Sequence, residues 1–147
     1  MGKKLAALIA FLALVAIGTT GCSAVSGGGT VNWLNDWTEA LSEAQSQNKP
    51  ILINFYTDLC PACRKMDQTT FTDDELGAFL NSNFICLRSN AGKSTLYTRY
   101  GIEAVPTMIF TEPDGYDKQY EIARIVGYVN ASEFYQIALD ALEQWQT

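Results

Sequence analysis

The sequence predicts an α/β domain in which a central mixed β-sheet is flanked by helices, and three observations carry that prediction. The run Ile51-Leu52-Ile53-Asn54-Phe55-Tyr56 has the length and composition of a strand buried on both faces. Helix-compatible stretches separate it from the next two apolar runs, as crossover connections require. The last two strand-like runs are separated by Pro113-Asp114-Gly115, a turn sequence that calls for a tight reversal.

The elements follow in order. Asn35-Asp36-Trp37-Thr38-Glu39 has the form of a helix start, with Asp36 as N-cap and Glu39 three residues on. Trp37, Ala40, Leu41 and Ala44 recur at helical spacing, and Lys49-Pro50 ends this N-terminal helical extension. A buried strand over 51–57 comes next, then a helix over 61–70 that tolerates Pro61 in its first turn, where an N–H would be unpaired anyway. Thr72-Asp73-Asp74-Glu75 reads as a second capping box, opening a helix with Leu76, Phe79 and Leu80 on its apolar side. Strands are expected over 84–87, 107–111 and 120–128, with a short helix over 94–100 closed by Gly101. Asn130-Ala131-Ser132-Glu133 starts a last helix, which lines up Phe134, Ile137, Ala138, Ala141, Leu142 and Trp145.

Ahead of this domain lies a segment of different character. Lys3 and Lys4 precede an uncharged apolar stretch from Leu5 to Ile17, the pattern of an export signal and too short to span a bilayer comfortably. Gly18-Thr19-Thr20-Gly21 and then Cys22 resemble the bacterial lipoprotein signal, with Thr19 where that signal usually has Leu. The expected division is therefore a signal peptide over 1–21, a Gly/Ser tether over 22–30 and one domain over 31–147. Acylation of Cys22 would hold the mature chain on a membrane, since each buried methylene contributes roughly 0.8 kcal/mol. Without Lys3 and Lys4, eight basic residues face sixteen acidic ones, a net charge of −8. A surface of that sign argues against nucleic acid and against electrostatic adhesion to anionic lipid.

The chemistry concentrates in Cys60-Pro61-Ala62-Cys63, at the junction between the first buried strand and the helix after it. Unpaired N–H groups at a helix N-terminus favour thiolate over thiol, and the two-residue spacing lets the sulfurs cycle between dithiol and disulfide. A static disulfide or half of a zinc site are the other readings. Zinc is disfavoured because the chain has no histidine and only Cys22 and Cys86 as further thiols. Copper carriage lacks the usual methionine two residues before the first cysteine. Gly92-Lys93-Ser94 does not complete a phosphate loop, because Leu87 stands where its first glycine is required. Cys86, within an expected central strand, reads as a small buried hydrophobe, and Trp33, Trp37 and Trp145 read as packing residues.

Several of these stretches together carry a family resemblance. Phe55 to Met66, Thr70-Phe71-Thr72-Asp73, Tyr100-Gly101-Ile102, Val105-Pro106-Thr107, Pro113-Asp114-Gly115 and Gly127-Tyr128 occur in an order and spacing that resemble the thioredoxin-like superfamily. Within it the pattern is nearest to the C-terminal periplasmic domain of the thiol:disulfide interchange proteins (DsbD) and to related exported thioredoxin-like lipoproteins. The resemblance implies a thioredoxin fold, with Cys60 as the more exposed, nucleophilic thiol and Cys63 as the resolving one. It implies that Pro106 follows a cis peptide bond, so that Val105, Pro106, Pro61 and Ala62 face the substrate, with Asn54, Asp58 and Arg64 beside the thiols. Asn54 is a departure, for many thioredoxins carry a buried carboxylate there that accepts the proton of the resolving thiol. What the family implies is an extracytoplasmic thiol–disulfide oxidoreductase, in the direction of a reductase. It would need no cofactor beyond its own disulfide, exported proteins would be its substrates, and a membrane thiol donor would recharge it. An oxidase, an isomerase or a non-catalytic binding module are the alternatives.

Overall fold

A computed structural model of the chain describes residues 30–147. The expected signal, Cys22 and the tether up to residue 29 lie outside the described residues. A five-stranded sheet organises the rest, in the order β1 (Trp33–Leu34), β3 (Ile85–Asn90), β2 (Ile51–Tyr56), β4 (Thr107–Thr111), β5 (Glu121–Val126). The strands β1, β3 and β2 run parallel, while β4 is antiparallel to β2 and β5 antiparallel to β4. The helices are α1 (Trp37–Gln47), α2 (Pro61–Thr69), α3 (Asp74–Asn83), α4 (Leu96–Arg99) and α5 (Ala131–Gln146). The expected N-terminal helix is α1, and β1 ahead of it is a strand too short for periodicity to announce.

Period-two alternation along β2 divides the core. Ile51, Ile53 and Phe55 pack with Ala40 and Ala44 of α1 and with Leu96, Tyr100 and Ile102. Leu52 packs on the opposite face, with Met66, Leu76, Leu80, Met108, Phe110 and Phe134. Edge-to-face contacts tie that second core together: Phe84 and Phe110 have centroids 5.2 Å apart, Phe71 and Phe134 5.5 Å, and Phe110 and Phe134 5.9 Å. Trp33 and Trp145 pack against the same cluster and Trp37 against the other, the packing roles expected of them.

Helix starts follow the sequence with one shift. Asp36 accepts the amide of Glu39 and Asn130 that of Glu133, each at 2.9 Å. On α3 the cap is Asp73 rather than Thr72, accepting from Leu76 N at 2.9 Å. Thr72 is engaged elsewhere, its hydroxyl donating to Gln68 O at the end of α2. The tight reversal expected between the last two strands is a longer connection. Residues 112–120 turn at Gly115, whose N–H bonds Glu112 O at 2.8 Å, and then form a 3-10 turn over Lys118–Tyr120. Thr111 holds that excursion down, because its hydroxyl donates to Tyr120 O and accepts from the buried Tyr100 hydroxyl.

Phe134 touches both Phe71 and Phe110 from α5 and so joins the helical layer to the sheet. Phe134→Ala is expected to lower the unfolding free energy by about 3–5 kcal/mol, read as a lower urea midpoint at unchanged slope. A loss below about 1 kcal/mol would show that the two layers are held together elsewhere.

Candidate active site

The end of β2 sets the position of the thiols. After Tyr56 the chain turns through residues 57–59, and Cys60 N donates to Thr57 O at 3.3 Å. Cys60 is then the N-cap of α2, with Pro61 opening the helix and Arg64 N donating to Cys60 O at 3.2 Å. Cys60 and Cys63 are joined as a disulfide, with Cα atoms 5.3 Å apart. The Cys63 amide donates to Cys60 Sγ at 3.1 Å, so the sulfur occupies the capping place usually taken by a side-chain oxygen. That amide and the helix dipole both stabilise negative charge on Cys60 once the disulfide opens. Both cysteines are largely buried, Cys60 8% exposed and Cys63 4%, so Cys60 is the more accessible by a small margin only. Leu59 just before it is 87% exposed.

Facing the disulfide is the loop into β4. The Val105–Pro106 peptide bond is cis, and Val105 O lies 3.6 Å from Cys60 Sγ. Among the described residues neither the N–H nor the C=O of Val105 has a backbone partner. Pro106 O, by contrast, accepts from Gly127 N at 2.8 Å, with Gly127 at φ +90°. That bond sets the Gly127-Tyr128 segment against α2, where Lys65 Nζ lies 4.0 Å over the Tyr128 ring and Thr70 Oγ1 donates to Val129 O at 2.7 Å.

The charged side chains expected beside the thiols, Arg64 and Asp58, are turned to other partners. Arg64 Nη1 donates to Asp58 O at 3.3 Å. The Asp58 carboxylate accepts from Asn90 Nδ2 at 3.2 Å and lies 3.8 Å from Lys93 Nζ, in an exposed and therefore weak pair. Asn54 is 2% exposed, in register with Arg88 on one side and Met108 on the other, and its Oδ1 has no hydrogen-bond partner among the described residues. Arg88 stacks 4.4 Å over the Tyr56 ring and bonds Asp67 Oδ2 at 2.9 Å.

This geometry agrees with the comparisons. Residues 37–142 match the family model for the thioredoxin-like domain. The chain belongs to that family. The thiol:disulfide interchange protein DsbD of Yersinia pestis strain Pestoides F is 32% identical over 98 residues, 63% of this chain and 16% of that protein. The chain thus spans about a sixth of the length of the curated relatives it matches. Among solved structures, a thioredoxin from Thermus thermophilus superposes with a TM-score of 0.65 at 24% identity, covering 80% of this chain and 88% of that one. The oxidised C-terminal domain of Neisseria meningitidis DsbD gives 0.60 at 19% identity, covering 75% and 99%. At those identities the likeness is one of fold.

Within the thioredoxin-like domain, sequence reasoning overlooked Asp67 and Arg88, and it gave Tyr56 and Tyr128 no partner although both stand in the stretches that carry the resemblance. A usable signal existed for Asp67, which follows Cys63 by four residues and so shares its face of α2. Arg88 gave none, because its partner lies on another element. Among the described residues no cluster of three or more His, Cys, Asp or Glu could hold a metal ion. Cys86 is buried between Ile85 and Leu87, and burial pushes its thiol up to about 12, Lys49 opposing the shift. In the reduced native protein at pH near 8, iodoacetamide is expected to modify Cys60 first and to spare Cys86 until denaturant is added, as read by peptide mapping. Labelling of Cys86 in the native protein at the rate of an ordinary exposed thiol would contradict its burial.

Proposed function

We propose that this chain is an extracytoplasmic thiol–disulfide oxidoreductase that works as a disulfide reductase on exported proteins. The observation that carries the reading is the Cys60–Cys63 disulfide capping α2, beside a Val105 backbone left open for an extended substrate segment. In the dithiol state the Cys60 thiolate attacks one sulfur of a substrate disulfide. A mixed disulfide forms, and the substrate's other sulfur leaves as a thiolate that takes up a proton. Cys63 then loses its proton and attacks Cys60 Sγ, releasing the second substrate thiol and restoring the intramolecular disulfide. Two electrons have passed to the substrate, and no group beyond the two cysteines is needed. Pro61 and Ala62 border the reacting sulfur, while Val105 and Pro106 position the incoming strand.

An oxidising compartment demands that such a reductase be recharged by a thiol donor in the membrane. Similarity to DsbD, a thiol:disulfide interchange protein, supports that partner and an envelope location on the periplasmic side. Among the described residues no helix is long and apolar enough to cross a membrane. Anchoring in this reading falls to lipidated Cys22, with 1–21 as signal, 22–30 as tether and 31–147 as the catalytic domain.

The reduction potential of the Cys60–Cys63 pair, measured by equilibration with dithiothreitol and alkylation, is expected below about −220 mV. A value above about −150 mV would reverse the direction to an oxidase, and a pair that does not cycle would leave a binding module. Cys63→Ser is expected to accumulate mixed disulfides through Cys60, whereas Cys60→Ser accumulates none. Asn54 cannot accept the Cys63 proton, so Asn54→Asp is expected to speed release of the mixed disulfide by about tenfold and to make that rate pH-dependent. An unchanged rate across about pH 6–9 would show that proton removal from Cys63 is not limiting.

A further inference from the structure

The open backbone of Val105 borders a cleft of about 320 Å³. Ala91 and Gly92, in the loop after β3, line one part of it, and Ala104 and Val105, in the loop into β4, line another, together with Tyr97 of α4. Main-chain bonds hold these walls in place. Ala91 N donates to Tyr56 O at 2.9 Å, and Ile102 N donates to Tyr97 O at 3.0 Å, past the turn that Gly101 makes at φ +58°. Thr57 lines the cleft as well, and its carbonyl accepts the Cys60 amide, so cleft and disulfide share both Thr57 and Val105. Tyr97 is 36% exposed and, unlike Tyr56, Tyr116 and Tyr128, stacks on no cation among the described residues. Its ring is left as apolar surface at an opening that continues the substrate edge.

The lining decides between occupants by the size of each effect. Ala91, Ala104, Val105 and the Tyr97 ring offer carbon, and the exposed Glu103 is the one charged residue of the lining. Glu103 enters none of the ion pairs among the described residues, so its carboxylate opposes an acidic group placed beside it. A basic side chain would gain from it only an exposed pair, worth up to about fivefold in affinity, whereas covering a large apolar side chain is worth about tenfold or more. Successive residues of an extended strand lie about 3.3 Å apart, so a segment with its sulfur at Cys60 and its backbone along Val105 brings a neighbouring side chain to the cleft. We propose that this cleft is a subsite for one large apolar side chain of the substrate segment, next to the cysteine of the disulfide to be reduced. The inference rests on the proposed function in that the strand paired with Val105 is a substrate's. It names the substrate class more closely: a leucine-like or phenylalanine-like residue stands beside the reducible cysteine, and an acidic one does not.

The experiment is a titration of the ¹⁵N-labelled, oxidised full-length chain with capped pentapeptides that hold serine in place of the substrate cysteine, flanked on both sides by leucine, alanine, lysine or aspartate. Serine removes the redox step, so binding registers whether or not the cysteine pair turns over. The leucine peptide is expected to give saturable shifts of the Ala91, Gly92, Ala104 and Val105 amides with a dissociation constant of about 1 mM, the alanine peptide to bind about tenfold more weakly and the aspartate peptide more weakly still. Tyr97→Ala is expected to cut the preference for leucine over alanine from about tenfold to about threefold or less, and Tyr97→Phe to keep it. Ala104→Glu, at an exposed position of the wall, adds a second carboxylate to the cleft and is expected to remove the preference. Equal binding of the leucine and alanine peptides, or a preference that survives both Tyr97→Ala and Ala104→Glu, would overturn the subsite. Tighter binding of the lysine peptide than of the leucine peptide would overturn the apolar assignment in favour of a cation at Glu103. A leucine preference in a protein that fails to reduce the matching cysteine disulfide would overturn the redox reading and leave the subsite standing.

Discussion

Burial of β2 on both faces is the constraint from which the rest of the site follows. Ile51, Ile53 and Phe55 are sealed on one side and Leu52 on the other, and β3 and β4 fill both hydrogen-bonding edges. A slip of one residue would exchange the two faces and drive Asn54 into the cluster around Ile53 and Phe55. The strand therefore has one register, and its last residue delivers the chain to one place. Cys60 caps α2 from there, while Met66, fully buried one turn beyond Cys63, pins the helix to the sheet. The sulfurs inherit their position from apolar packing that has no part in redox chemistry.

That same packing decides where charge can sit. A carboxylate at position 54 would be enclosed among Leu52, Met108 and α2, where an ion is tolerated only with a close partner. Here the position is neutral, and Arg88, its register partner on β3, reaches instead to Asp67 on α2. Both members of that pair are partly exposed, so screening leaves it worth about 1 kcal/mol or less. The arrangement moves the ion pair from the interior to the rim. It leaves an amide at position 54, and an amide holds no proton to trade at neutral pH. In the proposed function the consequence is chemical rather than energetic, because an amide there cannot take the Cys63 proton while stability hardly depends on the exchange.

Much of this was legible in the residues, and the limits have physical causes. The strands β2, β4 and β5, the caps at Asp36 and Asn130 and the stripe along α5 are written in local periodicity, which a reader can count. The thiol pair was legible because its chemistry depends on spacing and on the junction it occupies. What stayed hidden is non-local. β1 is two residues long and exists because β3 offers it an edge, so no period could reveal it. Thr72 looked like a cap until its hydroxyl found Gln68 O, and the contest between Thr72 and Asp73 is settled only when α2 ends. Arg88 and Tyr56 gain meaning from stacking across strands. The open backbone of Val105 is a property of a loop in three dimensions, visible in sequence only through the resemblance that flagged Pro106.

In the proposed function, recognition at this site is permissive. An open N–H and C=O at Val105 bond whatever main chain lies alongside, and main-chain bonds do not depend on the partner's side chains. Around them stand exposed apolar groups: Leu59 beside Cys60, Tyr97 in the cleft that Val105 lines, and Val126 and Tyr128 in the segment that Gly127 ties to Pro106. Their apolar area rewards any hydrophobic flank and selects against charge. In that reading the substrate that meets both demands is an extended, apolar stretch around a disulfide, which a folded protein rarely exposes and an incompletely folded one does. In the proposed function, discrimination between substrates then comes from which disulfides are accessible and from where the tether lets the domain reach. Side-chain fit at the cysteines contributes the smaller part.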